Sequence, residues 1–86
     1  MRRLESSIER ACKRIAEGLG YMLLKIERRK GWPDRILILP GSVVWIEFKR
    51  EGELASPLQL WVHKKLQSLN QTVIIVRSVK DFEELL

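Results

Sequence analysis

Three residues of this sequence carry the functional groups of one reaction: Asp34 and Glu47 supply carboxylates, and Lys49 supplies an ammonium group. Hydrolysis of a phosphodiester needs such a set. Carboxylate oxygens suit Mg²⁺ or Mn²⁺, which are hard cations. A neighbouring lysine can orient or deprotonate the attacking water and offset charge on the phosphate. Glu47 and Lys49 are two apart, so on a β-strand they leave the same face. Asp34 has to reach them from another element.

A hairpin would bring it there. A turn centred between Pro40 and Gly41 places Leu39 opposite Ser42 and, counting outwards, Asp34 opposite Glu47, where cross-strand partners share a face. Pro-Gly favours a type II turn, which is unusual as a two-residue hairpin loop, so a longer even-numbered loop about the same centre is expected. A one-residue bulge would destroy the pairing.

The flanking elements follow from periodicity. Leu4, Ile8, Cys12, Ile15 and Leu19 recur at helical spacing between charged residues, with Gly18 and Gly20 as the stop. Residues 21–27 read as a first strand, 28–33 as a basic loop and 35–39 as a second strand. In the third strand Val44, Ile46 and Phe48 point one way, while Trp45, Glu47 and Lys49 point the other. Residues 50–55 form a polar connection. Ser56-Pro57 opens a second helix with a buried stripe of Leu58, Val62, Leu66 and Leu69, and Asn70 can end it in a left-handed conformation. Residues 72–77 form a β-branched fourth strand, and Ser78 with Asp81 caps a short final helix through Val79, Phe82 and Leu85. The order is α-β-β-β-α-β-α. It predicts an α/β (mixed α+β) fold in one domain spanning 1–86, with a central mixed sheet packed by helices.

Composition agrees with this chemistry without proving it. The 86 residues are 45% hydrophobic and 31% charged, as in ordinary soluble domains, and the net charge of +5 favours a polyanionic partner. The apolar run Val43 to Ile46 is too short to cross a bilayer, and the polar stretch after Met1-Arg2-Arg3 does not read as a secretion signal. No membrane association and no small-molecule cofactor are expected. The single cysteine, Cys12, excludes a disulfide framework and a cysteine-rich zinc site, and fits a reducing interior.

Glu-Phe-Lys alone is a weak signal, and its plain alternative is the charged outer face of an edge strand. Three motifs in order carry more. Gly31-Trp32-Pro33-Asp34-Arg35-Ile36, Ile46-Glu47-Phe48-Lys49 and Ser56-Pro57-Leu58-Gln59 resemble, over nearly the whole chain, the virus-type replication-repair nuclease (VRR-NUC) family of the PD-(D/E)xK nuclease superfamily. The resemblance implies a restriction-endonuclease-like core and a Mg²⁺- or Mn²⁺-dependent endonuclease acting on DNA. Asp34 and Glu47 match its metal ligands, joined by the main-chain carbonyl of Phe48. Lys49 matches its catalytic lysine, and Gln59 the glutamine on the following helix. An acid on the first helix matches Glu5, acting through water, with Glu9 one turn on as the alternative.

Lys25, Arg28, Arg29, Lys30 and Arg35 flank these positions in sequence and are candidate phosphate contacts, which would position DNA without reading its sequence. Their alternative is a solvated basic loop. His63 shares a helix face with Gln59, yet a lone histidine is more often packing or surface. Trp32 reads as an anchor for the basic loop, Trp45 as the floor of the site or a subunit contact, Trp61 as half-buried and Cys12 as core.

Stand-alone members of the family look like viral or prophage recombination enzymes. The implied activity is therefore a structure-selective, Holliday-junction resolvase-like endonuclease, working inside a bacterial host and as a homodimer, because symmetrical cleavage of a junction needs two sites. A flap or nicking nuclease is the alternative for a monomer. A catalytically inactive basic DNA-binding module is the alternative from another class, and a restriction-type duplex cutter would need base-reading elements that are not visible.

Overall fold

A computed structural model describes residues 6–86. The first helix, α1 (Ser7–Gly18), starts where the Ser6 hydroxyl accepts the Glu9 N–H. It ends in a Schellman arrangement, with Tyr21 and Gly20 N–H groups donating to Ala16 and Glu17 carbonyls. Gly20, at φ 80°, provides the left-handed residue; Gly18 is still helical. The strands are β1 (Met22–Lys25), β2 (Arg35–Leu39), β3 (Ser42–Phe48) and β4 (Thr72–Val76). Helix α2 (Pro57–Ser68) crosses between β3 and β4, and α3 (Val79–Glu83) closes the fold. The mixed α+β architecture predicted from the sequence is the one observed.

The sheet order is β1-β2-β3-β4, with antiparallel pairs up to β3 and a parallel β3–β4 pair. Leu39 pairs with Ser42 and Arg35 with Ile46, so the hairpin has the anticipated centre. Its loop is shorter than expected. Only Pro40 and Gly41 lie between the strands, with Gly41 at φ 69° accepting the left-handed conformation that a Pro-Gly turn demands.

One face of the sheet carries Leu23, Leu37, Val44, Ile46, Phe48 and Val76, packed with Cys12 and Ala16 of α1 and Phe82 of α3 into the main core. The other face is covered unevenly: α2 packs against β4 and buries Val62, His63 and Leu66. The helical stripes therefore differ from the expected ones. Ala16 and Glu9 face the sheet while Leu19 is exposed, and Leu58 and Leu69 flank α2's buried stripe and remain exposed. Leu4 lies outside the described residues. Trp61, expected to be half-buried, is 65% exposed. Asn70 ends α2 as anticipated, at φ 63°, with Gln71 and Asn70 N–H groups donating to Leu66 and Gln67 carbonyls. Ser78 caps α3 by accepting the Asp81 N–H, while Asp81 reaches back to the Arg77 N–H.

Gly31 locks the long β1–β2 loop onto α2. Its φ is 80°, and a Cβ there would stand 2.5 Å from Leu58 Cγ, so neither the conformation nor the space admits a side chain.

Candidate active site at the open end of the hairpin

Asp34 precedes β2 by one residue, and its carbonyl accepts the Ile26 N–H, which extends the β1–β2 ladder by a step. Continuing the β2–β3 register sets it opposite Glu47. The Asp34 carboxylate is tied to the end of β3: its Oδ2 accepts the Phe48 N–H at 2.8 Å. An acidic side chain is thus held beside the backbone that joins Glu47 to Lys49. Alternation does the rest, since Asp34, Glu47 and Lys49 leave the face opposite Ile46 and Phe48.

Glu47 is 1% exposed and meets the His63 ring, Nε2 to Oε1, at 3.3 Å. His63 is itself 6% exposed. Burial holds its pKa below the ordinary histidine value, the Lys49 ammonium lowers it further, and Asp34 pulls the other way. The ring is therefore neutral at pH 7, and the contact is a hydrogen bond that fixes one oxygen of Glu47 when Nε2 carries the proton. That Asp34 and Lys49 both act on this ring places the four groups in one neighbourhood.

Lys49 is held as firmly. Its Nζ donates to Gln59 Oε1 at 2.8 Å and lies 3.8 Å from Glu53 Oε2. Gln59 owes its position to helix capping. Its Oε1 also accepts the Ser56 N–H at 2.8 Å while the Ser56 hydroxyl accepts the Gln59 N–H at 3.2 Å, a complete capping box. One amide oxygen therefore both starts the helix and anchors the lysine. The connection between β3 and α2 is braced from β4's end, where the Arg77 guanidinium donates from Nη1 to the Arg50 and Glu53 carbonyls at 2.6 and 2.7 Å.

Two of the proposed phosphate contacts lie elsewhere. Arg35 follows Asp34 directly but pairs with Ile46, so parity turns it to the α1 face. There it is 3% exposed, and its Nε donates to Glu9 Oε2 at 3.2 Å. A guanidinium sealed in that ion pair is not a surface for DNA. Lys25 pairs with Arg35 and shares its face, away from that of Asp34 and Glu47, although it is exposed. Glu9 is committed to Arg35 at the α1–sheet interface, and Glu5 lies outside the described residues.

Arg28, Arg29 and Lys30 are exposed in the loop that leads into Asp34. Trp32 anchors that loop: its ring centre is 5.6 Å from that of Trp45, and the Arg29 guanidinium sits 4.6 Å over it. Trp45 also donates from Nε1 to Gln71 Oε1 at 2.9 Å. Cys12 is fully buried, as expected, and burial with the nearby Glu9 charge pushes its thiol up to about 11.

His63, expected as packing or surface, is buried against Glu47, and Glu53 and Arg77, not expected at the site, lie beside Lys49 and brace the connection that follows it. The signal for His63 was available in part, because a residue four after Gln59 returns to the same helix face. Among the described residues, no three His, Cys, Asp or Glu side chains form a group that could hold a metal by themselves. A cation here would take the two carboxylates and complete its shell with the Phe48 carbonyl and water, an all-oxygen set appropriate to Mg²⁺ or Mn²⁺. No helix among the described residues is long and apolar enough to cross a membrane.

No family model matches the chain. Among curated proteins it is similar to "Putative nuclease p44" of Acyrthosiphon pisum secondary endosymbiont phage 1, with 39% identity over 62 residues. That match covers 71% of this chain and 66% of the phage protein, just under two thirds of the latter's length. Among solved structures it is similar to one described as a VRR_NUC domain, with a TM-score of 0.78 and 32% identity over 91% of this chain and 88% of that one.

Proposed function

This chain belongs to the virus-type replication-repair nuclease family of the PD-(D/E)xK nuclease superfamily, and from that membership we propose that it is a Mg²⁺- or Mn²⁺-dependent endonuclease hydrolysing phosphodiester bonds in DNA. The observation that carries the reading is the convergence of Asp34, Glu47 and Lys49 at the end of the hairpin, each held by a hydrogen-bonding partner. The cation, when bound, supplies Lewis acidity that favours ionisation of water and offsets phosphate charge.

The chain's own residues do the positioning. The Phe48 N–H orients Asp34, and His63 orients Glu47, each fixing one carboxylate oxygen. Lys49 projects an ammonium that orients the attacking water and stabilises charge on the scissile phosphate, and Gln59 sets its direction. Arg28, Arg29 and Lys30 grip the flanking phosphates, which makes binding strongly salt-dependent. Branched DNA, in particular a four-way junction, is the substrate that best matches a small basic protein with no base-reading element among its described residues, and resolving it requires a homodimer. The protein then acts in recombination or repair inside the bacterial host of a phage or prophage.

Cleavage of labelled junction, flap, duplex and single-stranded DNA with Mg²⁺, Mn²⁺ or chelator tests this directly. The expected result is metal-dependent cleavage with a preference for the junction. Equal cleavage in chelator would remove the metal mechanism, and binding without any cleavage would leave the inactive DNA-binding module.

A further inference from the structure

Arg77 follows β4 directly, and the Lys49 N–H donates to the Val76 carbonyl at 3.1 Å, so the parallel β3–β4 ladder runs on to the site. Phe48 pairs with Val76, and both belong to the core. One step further, alternation turns Arg77 to the face that Glu47 and Lys49 leave. Its half-buried side chain then reaches over the chain that leaves Lys49. Nη1 donates to the Arg50 and Glu53 carbonyls at 2.6 and 2.7 Å. Those two residues are the ends of a tight turn, closed by the Glu53 N–H on the Arg50 carbonyl at 3.0 Å, with Gly52 left-handed at φ 79°.

These two bonds use Nη1 alone. A guanidinium carries five N–H groups in one plane, and the edge formed by Nε and Nη2 is suited to gripping a phosphate with two parallel bonds. Among the described residues that edge has no partner, and the charge meets carbonyls rather than a carboxylate. The neighbouring acids are turned elsewhere. Glu53 accepts the Arg50 N–H at 2.9 Å and stands beside Lys49, and Asp81 accepts the main-chain N–H of Arg77 at 3.0 Å. Two other arginines near the site are differently placed: Arg35 is sealed against Glu9, and Arg29 lies over Trp32.

Position gives this edge its use. β2 begins, and β3 and β4 end, at the same end of the sheet, which sets Asp34, then Glu47 and Lys49, then Arg77 in order across it. Adjacent strands are about 4.8 Å apart, so Arg77 stands one strand beyond Lys49, on the side away from Arg28, Arg29 and Lys30. We infer that Arg77 is a DNA-backbone contact whose Nε–Nη2 edge takes the phosphate next to the scissile one, on the far side of Lys49 from the basic loop. The inference deepens the nuclease reading and rests on it for the identity of the polyanion. A polynucleotide crossing the strand ends meets the basic loop first, the carboxylates and Lys49 next, and Arg77 last. Because the same guanidinium closes the turn after Lys49, the phosphate and the lysine are held in register.

Filter binding of the full chain to a four-way junction, in chelator and over a range of salt, reads the contact. Arg77→Gln should make the slope of log affinity against log salt shallower by about 0.9, the value of one phosphate contact, and Arg77→Lys should restore it. Junctions carrying one neutral methylphosphonate at successive positions locate the contact. Wild type should lose affinity at the position adjoining the cleavage point, whereas Arg77→Gln should be indifferent there and remain sensitive at the basic-loop positions. An unchanged slope in Arg77→Gln, or a methylphosphonate that weakens its binding at that position as much as in wild type, would overturn the inference and reduce Arg77 to a brace for the turn. No loss at that position in wild type would overturn it as well, even if Arg77→Gln fails to fold. Either result with wild-type cleavage intact leaves the nuclease standing. A wild type with the Arg77-dependent slope that cuts nothing with Mg²⁺ or Mn²⁺ removes the nuclease and leaves the phosphate contact.

Discussion

Two buried acid–base pairs stand one residue apart on the same hairpin. On the α1 face, Arg35 pairs with Glu9; on the α2 face, Glu47 pairs with His63. All four side chains are almost fully buried, and each pair joins a strand to a helix. Burial and pairing therefore do not distinguish them. Their neighbours do. Glu9–Arg35 lies at the α1–sheet interface, where the adjoining strand positions belong to the apolar core. Glu47–His63 borders Asp34 and Lys49, which both act on the histidine, at the open end of the strands. One pair holds a helix to a sheet, and the other fixes the carboxylate that the proposed mechanism assigns to the cation. The contrast shows that a charged residue in this fold takes its role from the face it leaves, which alternates with every step along the strand.

The comparison can be broken by substitution on each side. The largest effect belongs to the face proposed as catalytic: Lys49→Ala should lower the cleavage rate on the order of 10³-fold, within the range for a general acid–base group, while DNA affinity falls only a few-fold. Single-turnover cleavage and filter binding measure the two quantities. Asp34→Ala should lose cleavage equally and also weaken Mn²⁺ binding.

On the structural face, Arg35→Met removes the buried guanidinium that faces Glu9, and unfolding free energy should fall by about 3–5 kcal/mol, the scale for breaking a buried ion pair and a large share of a small domain's stability. Glu9→Met/Arg35→Met should restore most of it, as read by urea unfolding. A Glu47→Gln protein, by contrast, should melt within a few degrees of wild type yet be inactive. If Glu47→Gln unfolded as severely as Arg35→Met, the division of roles between the faces would fail.

The supporting histidine should come next. His63→Gln keeps a hydrogen-bond donor on the α2 face, whereas His63→Leu removes it. The leucine variant should need 10–100-fold more Mn²⁺ for half-maximal cleavage, the usual scale for a group that orients a ligand, with glutamine recovering part of the loss. Equal behaviour of the two variants would reduce His63 to packing.

The smallest effect is in pH. His63 is depressed in the folded state, so its contribution to stability is present above the unfolded value near 6.5 and is lost as pH falls through the folded one. Unfolding free energy should therefore decline below pH 6.5 with a slope approaching about 1.4 kcal/mol per pH unit from this group, and His63→Gln should remove that component.

Much of this arrangement was legible before any coordinates. Pro40-Gly41 centres the hairpin, and once the centre is known each cross-strand partner follows by counting. Ser56-Pro57 marks the helix start, and the capping box then explains why Gln59 stands beside Lys49. What stayed hidden depends on three-dimensional neighbours. Arg35 sits in sequence among candidate phosphate contacts, yet one step along β2 turns it to the other face. His63 looks like any isolated histidine until β3 and α2 are packed together. The exposure of Leu58 and Leu69 was invisible for the same reason: periodicity gives a stripe, while only the placement of α2 over β4 decides which part of it is covered.

The claim on which the rest depends is that Asp34 and Glu47 share one cation. Anomalous scattering from a crystal soaked in Mn²⁺ reports this most directly. The account predicts a peak bounded by oxygens of both carboxylates, absent from Asp34→Ala crystals. Saturating Mn²⁺ that left this position empty, or bound only at other acidic residues, would contradict it.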